Sequence, residues 1–223
     1  MGQMVEFESN GGTCDGYIAG DGGPGVLVIQ EWWGLNKHIK SIVDRLAAEG
    51  FVALAPDLYH GEVTTEPDGA GKLMMALNIS EASKEMSGAI DLLIERTGRN
   101  KVGVIGFCMG GMLSLILAAQ RSDRIAAAVP FYGFPQGDAE PDWSGLTAAV
   151  RGHMAEHDDF FGPDAARALE AKLQGLGKDV QFTVHPGTGH AFMGPHNALG
   201  TLDEEVAAEI WPEVVTFLHE QLA

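Results

Sequence analysis

From Gly25 onward, short apolar runs alternate with longer segments in which apolar residues recur every three or four positions. The runs GVLVIQ (25–30), FVALAP (51–56), VGVIGF (102–107), IAAAVPFY (125–132), TAAVRGHMAE (147–156) and VQFTVH (180–185) are rich in β-branched and small apolar residues, as strands covered on both faces are. Between them, HIKSIVDRLAAEG, ISEASKEMSGAIDLLIERTG, DAARALEAKLQGLG and LDEEVAAEIWPEVVTFLHEQLA read as one-sided helices. Gly50 and Gly98 end the first two, Pro163 opens the third, and Pro212 either kinks the last or restarts it. Such alternation buries all its apolar surface in a largely parallel sheet with helices on both faces, so the chain is α/β. VEFES and TCDGYIA, joined at Asn10-Gly11-Gly12, add an antiparallel hairpin in front and bring the sheet to about eight strands. No repeat, low-complexity tract or long linker interrupts the pattern, and residues 1–223 are expected to form a single domain.

One strand-to-helix junction carries distinctive chemistry. GFCMGG, Gly106 to Gly111, follows the run KVGVI and precedes MLSLILAAQ. Glycines two residues either side of Cys108 remove side chains that would collide with the adjoining strand and helix, which is what a nucleophile elbow requires. A thiol held there meets the unpaired N–H groups and dipole of a helix N-terminus, which favour thiolate over thiol. The Met109 N–H can serve an oxyanion. For the hexapeptide taken alone, a tight corner around a buried, inert cysteine is the alternative.

Acyl transfer needs a base beside the nucleophile, a carboxylate to orient the base, and donors aimed at the developing oxyanion. On α/β-hydrolase folds the nucleophile comes first in the chain, the acid second and the histidine last, each after the C-terminal end of a strand. EHDDFFGP supplies Asp158 and Asp159; neighbouring residues leaving a strand point apart, so one of the two must be chosen. HPGTGHAF supplies His190 on an expected loop of Pro186, Gly187 and Gly189, with His185 as its nearest rival. IQEWWG, after the first parallel strand, offers the Trp32 N–H as second oxyanion donor. Glu31 beside it, at the end of a buried strand, must be paired or protonated; a structural salt bridge is the alternative to a functional role.

Four segments, taken in order, resemble the dienelactone hydrolase family of α/β-hydrolases along nearly the whole chain: VLVIQEWWGLNKHIKSIVDRLAAEGFVALAPDLYHG, VGVIGFCMGG, AEHDDFFGP and GTGHAF. The resemblance implies a Cys-Asp-His triad at Cys108, Asp158 and His190, and so favours Asp158 over Asp159. It also implies that Glu31 regulates the thiol: the resting cysteine is protonated, and substrate binding reorients the glutamate, which takes the proton. The best-known members grip a substrate carboxylate with two arginines, one of them a few residues after the histidine. Here that stretch is AFMGPHNA, and the first basic residue after PDLYHG is Lys72, which does not replace a bidentate clamp. This argues against dienelactone itself as the natural substrate. Trp33, Tyr59, Lys72 and Phe192 are candidates to line the pocket, with packing the alternative for the aromatic residues.

The expected activity is hydrolysis of small activated esters, enol lactones or thioesters through a covalent acyl-enzyme. Thiolate leaves more readily than alkoxide, so a cysteine adduct of an ordinary alkyl ester collapses backwards and the nucleophile suits activated acyl groups. About fifteen residues separate the runs ending near Phe131 and beginning near Thr147, too few for a lid domain, so an open pocket and a small substrate are expected. A competing reading, from the same reactive thiol, is a redox-responsive or ligand-binding protein without turnover.

A net charge of −17 repels nucleic acid and anionic lipid, and neither is expected as a partner. Two cysteines, Cys14 and Cys108, make no disulfide framework, and MGQMVEFESNGG has no secretory pattern, so a cytoplasmic protein is expected, a monomer or small homo-oligomer. No cofactor is called for. No metal site is expected either, since only His153 and His157 could share a face, and only if their segment were helical.

Overall fold

The N-terminal hairpin consists of β1 (Gln3–Ser9) and β2 (Gly12–Ala19), antiparallel, with Gln3 opposite Ile18 and Ser9 opposite Gly12. The computed structural model describes residues 1–9, 11–194, 197 and 199–223, so Asn10 of the expected turn lies outside the described residues. The chain divides into two units, Met1–Val102 and Gly103–Ala223.

In the first unit the hairpin leads into β3 (Gly25–Ile29), α1 (Lys37–Ala48) and β4 (Val52–Pro56). β3 and β4 pair in parallel and β2 pairs antiparallel with β4, giving the order β1-β2-β4-β3. Every residue of β3 and β4 is buried, which is why both read as unbroken apolar runs. The Asn36 side chain caps α1 by accepting the Ile39 N–H, and Ile39, Ile42, Val43 and Leu46 form its buried stripe. Two helices follow, α2 (Pro67–Ala76) and α3 (Ile79–Thr97). Asn78 caps α3, and Gly98 ends it in the left-handed conformation. The sequence pattern does not anticipate α2: it buries only Ala70 and contains Gly69 and Gly71, and its one local signal is Pro67 in the first turn.

The second unit holds all of β5 (Val102–Phe107) but its first residue, followed by α4 (Met109–Gln120), β6 (Ile125–Phe131), β7 (Ala149–His157), α5 (Pro163–Gly175), β8 (Val180–Gly189) and α6 (Glu204–Gln221). Its strands stand in the order β5-β6-β7-β8, with β6/β7 and β7/β8 parallel. α6 continues through Pro212 instead of restarting there. β8 departs from expectation, because the stretch HPGTG belongs to the strand and is not a loop after it. A central strand could not accept Pro186, which has no N–H to give, but β8 stands at the end of the strand order and, among the described residues, pairs with β7 alone. A register shift near Ala155 and His157 brings His157 opposite Gly189. Residues 132–148, between β6 and β7, hold two short 3-10 turns and no lid domain. No helix among the described residues is long and apolar enough to cross a membrane.

Candidate active site

The turn between β5 and α4 forces Cys108 to φ +54°, a left-handed conformation that costs a non-glycine residue on the order of 1 kcal/mol or more. The surrounding residues leave it little alternative. A Cβ on Gly106 would overlap the Gly110 carbonyl, one on Gly111 would press on the carbonyls of Phe131 and Gly133, and one on Gly133 would overlap the carbonyl of Cys108 itself. The Cys108 N–H donates to the Phe131 carbonyl at 3.0 Å, which ties the elbow to the end of β6. Gly133 lies 25 residues beyond Cys108 in the chain and carries no local signal of this duty. Gly133→Ala is expected to lower the unfolding free energy by about 3 kcal/mol through overpacking against backbone; a urea midpoint equal to that of wild type would show that the elbow yields.

Cys108 is partly exposed. Its Sγ lies 3.2 Å from His190 Nε2, and His190 Nδ1 lies 2.8 Å from Asp158 Oδ2. Asp158 lies immediately beyond β7, and His190 immediately beyond β8, so the ends of three strands of the second unit converge. Of the two neighbouring aspartates, Asp158 turns inward, with its side chain fully buried, while Asp159 is exposed. The other oxygen of Asp158, Oδ1, accepts the N–H groups of Phe160 at 2.8 Å and Phe161 at 2.9 Å. Burial pushes this carboxyl upward, but the hydrogen bond and charge of His190 and the two amides hold it below the usual carboxylate range. An ionised acceptor at Nδ1 fixes the imidazole with its proton on Nδ1 and its lone pair on Nε2, toward the thiol.

Aromatic rings surround the imidazole. Phe161 stacks on it at 22° with centroids 5.9 Å apart, Tyr132 meets it edge-on at 5.3 Å, and Phe160 lies 5.1 Å away. Like Cys108, Tyr132 at φ +35° and Ala191 at φ +61° occupy left-handed backbone, so non-glycine strain gathers around His190. The Thr201 hydroxyl donates to the His190 carbonyl and holds the residue from the other side.

His185 is engaged elsewhere: its Nε2 lies 3.0 Å from Nδ1 of His153, which is buried and stacked on Phe131 at 4.8 Å. The sequence reading missed this pair, since the two residues are 32 positions apart and meet only through the β7/β8 register. His153 and His157 share a strand, not a helix, and His157 is exposed beside Glu156. Phe192 is fully buried, packed against Tyr132 at 5.2 Å and His185 at 5.5 Å, and presents no surface to solvent.

The remaining sequence candidates belong to the first unit. Glu31 is 1% exposed, just past the end of β3. Trp32 and Trp33 meet edge to face with centroids 5.0 Å apart, and Trp33 and Tyr59 are buried. The Thr64 N–H donates to the Trp33 carbonyl, which joins the loop after β3 to the one after β4. Lys72 is exposed on α2.

Residues 14–222 match the model of the dienelactone hydrolase family. The chain is 42% identical to "Protein usf" of Aquifex pyrophilus, with both proteins covered over their full length. It is 38% identical, again over 100% of each, to an Aquifex aeolicus protein provisionally named a carboxymethylenebutenolidase. A solved structure from Klebsiella pneumoniae, provisionally titled a dienelactone hydrolase, superposes with a TM-score of 0.83 at 24% identity and covers 99% of each chain. That likeness gives the α/β-hydrolase fold, and the match along 14–222 gives the family. The chain belongs to the dienelactone hydrolase family and is a hydrolase of the carboxymethylenebutenolidase type.

Proposed function

We propose that the chain hydrolyses small activated esters, enol lactones or thioesters through a Cys108-His190-Asp158 triad and a covalent acyl-enzyme. The observation that carries this reading is the unbroken contact chain from Sγ to Nε2 at 3.2 Å and from Nδ1 to the Asp158 carboxylate at 2.8 Å. In the proposed reaction His190 Nε2 takes the thiol proton as sulfur attacks the carbonyl carbon, and the imidazolium returns that proton to the leaving group. Water then attacks the resulting thioester as His190 takes its proton; the adduct breaks its C–S bond to release the acid, and the Cys108 sulfur recovers the proton from the imidazolium. Asp158 stays ionised and stabilises each imidazolium. The Met109 N–H, at the first residue of α4, is the proposed oxyanion donor, worth on the order of 3 kcal/mol in the transition state. The assignments of Trp32 as second donor and Glu31 as regulator of the thiol rest on the sequence resemblance. The same reading takes residues 1–223 as one hydrolase domain acting in the cytoplasm.

Cysteine restricts the acyl groups to those with good leaving groups, and the short connection over 132–148 suits small ones. Mixing the protein with an activated aryl ester should release a burst of about one leaving group per chain, and should leave an acyl mass on the peptide containing Cys108. Linear release from the first turnover with Cys108 unmodified would sink the covalent mechanism.

A further inference from the structure

Phe160 stands out among the aromatic residues around His190. Phe161 already packs the imidazole, stacking on it and meeting Phe134 with centroids 5.5 Å apart. Phe160, by contrast, is 62% exposed, yet its backbone is held on both sides: its N–H donates to Asp158 Oδ1 at 2.8 Å and its carbonyl accepts from Gln136 Nε2 at 3.1 Å. A phenyl ring left largely in water forgoes most of the stabilisation that burial would give it. Its centroid lies 5.1 Å from that of the His190 ring, whose Nε2 is 3.2 Å from the thiol. The exposed phenyl ring therefore flanks the imidazole that contacts the thiol.

The charges around the triad point the same way. The segments that carry the triad and its surroundings, residues 106–111, 132–137, 156–162 and 189–194, contain no Lys or Arg. They contain Glu156, Asp158 and Asp159 instead. Of the basic residues flanking the segment 156–162, Arg151 pairs with Asp179, Arg167 with Asp164 and Lys172 with Glu140. No Lys or Arg in these segments would neutralise a substrate carboxylate, and the exposed Asp159 adds negative charge beside Phe160.

Resting on the hydrolase reading above, we infer that Phe160 is a specificity-determining contact, and that the site takes uncharged substrates with an apolar, aromatic acyl group packed on its ring. The test uses the S-ethyl thioesters of acetic, phenylacetic and succinic acids, the last carrying a free carboxylate. Wild type should prefer phenylacetyl over acetyl about tenfold in kcat/KM and over succinyl about a hundredfold. Phe160→Ala should cut the phenylacetyl-to-acetyl ratio about tenfold, and Phe160→Arg should raise the succinyl-to-phenylacetyl ratio. Because the ring is exposed, both variants are expected to fold. Binding is measured separately with Cys108→Ala protein, in which the Kd for the phenylacetyl thioester should rise about tenfold when Phe160→Ala is added. Unchanged ratios and an unchanged Kd would overturn the inference. If wild type turned over none of the three while the Kd still depended on Phe160, the hydrolase reading would fail and this contact would stand.

Discussion

Cys108→Ala is expected to abolish ester and thioester turnover, and His190→Ala to abolish it to the same extent. The two atoms act as one unit: without the imidazole 3.2 Å from Sγ nothing takes the thiol proton, and without sulfur the imidazole has nothing to activate. Losses in such units do not add, so the double variant should be no worse than either single one. Asp158→Asn is a finer probe. It keeps the size of the side chain, but its amide end can present an NH2 to His190 Nδ1 in place of an acceptor. The imidazole would then turn over to the tautomer with its proton on Nε2, facing the thiol. A loss in kcat on the order of 10⁴ is expected, as for the corresponding change in serine-type triads. Urea titrations of all three variants separate lost chemistry from lost fold. The competing reading, a reactive thiol without a catalytic unit, makes the opposite forecast: rapid alkylation of Cys108, and the same turnover with His190→Ala as with wild type.

The parts of the fold legible from sequence were those with a single physical cause. β3, β4 and β5 are buried at every position, so nothing but apolar residues is tolerated there. α1 and α3 carry their own caps and stripes. α2 is different: its glycines and exposed methionines follow neither period, and only Pro67 marks where it starts. The end of β8 reads as a loop because Pro186, Gly187 and Gly189 are ordinary loop residues, and only its edge position allows them in a strand.

The site divides along the same line. The order of Cys108, Asp158 and His190 can be read from the chain because parallel topology sends strand ends to one side. Which aspartate turns inward depends on the twist of the strand at its last residue. That choice is made in space, with Asp158 buried against His190 and Asp159 in solvent. Gly133 under Cys108, Phe160 beside His190 and the pairing of His153 with His185 are likewise contacts between distant segments, without a local pattern to announce them.

That histidine pair should make the protein sensitive to acid well above the pH at which carboxylates protonate. His153 lies against Phe131, and burial pushes its pKa down to about 3, with His185 as the lesser cause. His185 is also lowered by burial, although Glu213 and Glu209 oppose the shift. Both rings are therefore held neutral, one donating and the other accepting across 3.0 Å. In the unfolded chain each would titrate near pH 6.5. As pH falls below that value the unfolded state gains protons that the folded state refuses. The stabilisation is thus complete above about pH 6.5 and is lost toward the folded value, at about 1.4 kcal/mol per pH unit for each proton. His153 alone should remove about 3 kcal/mol between pH 6.5 and pH 4. Asp158, whose pKa is lowered, contributes stability that is lost only below the ordinary carboxylate range near pH 4, so the two windows separate. Urea unfolding from pH 8 to pH 4.5 should show this slope in wild type and a clearly shallower one in His153→Gln, which keeps a neutral polar group toward His185. Comparing the two proteins at each pH cancels contributions common to both, such as Glu85, whose carboxyl is raised by burial and acts in the opposite sense. Parallel curves for the two proteins across pH 6.5 to 4.5 would mean that the buried pair takes up its proton without cost and that acid lability arises elsewhere.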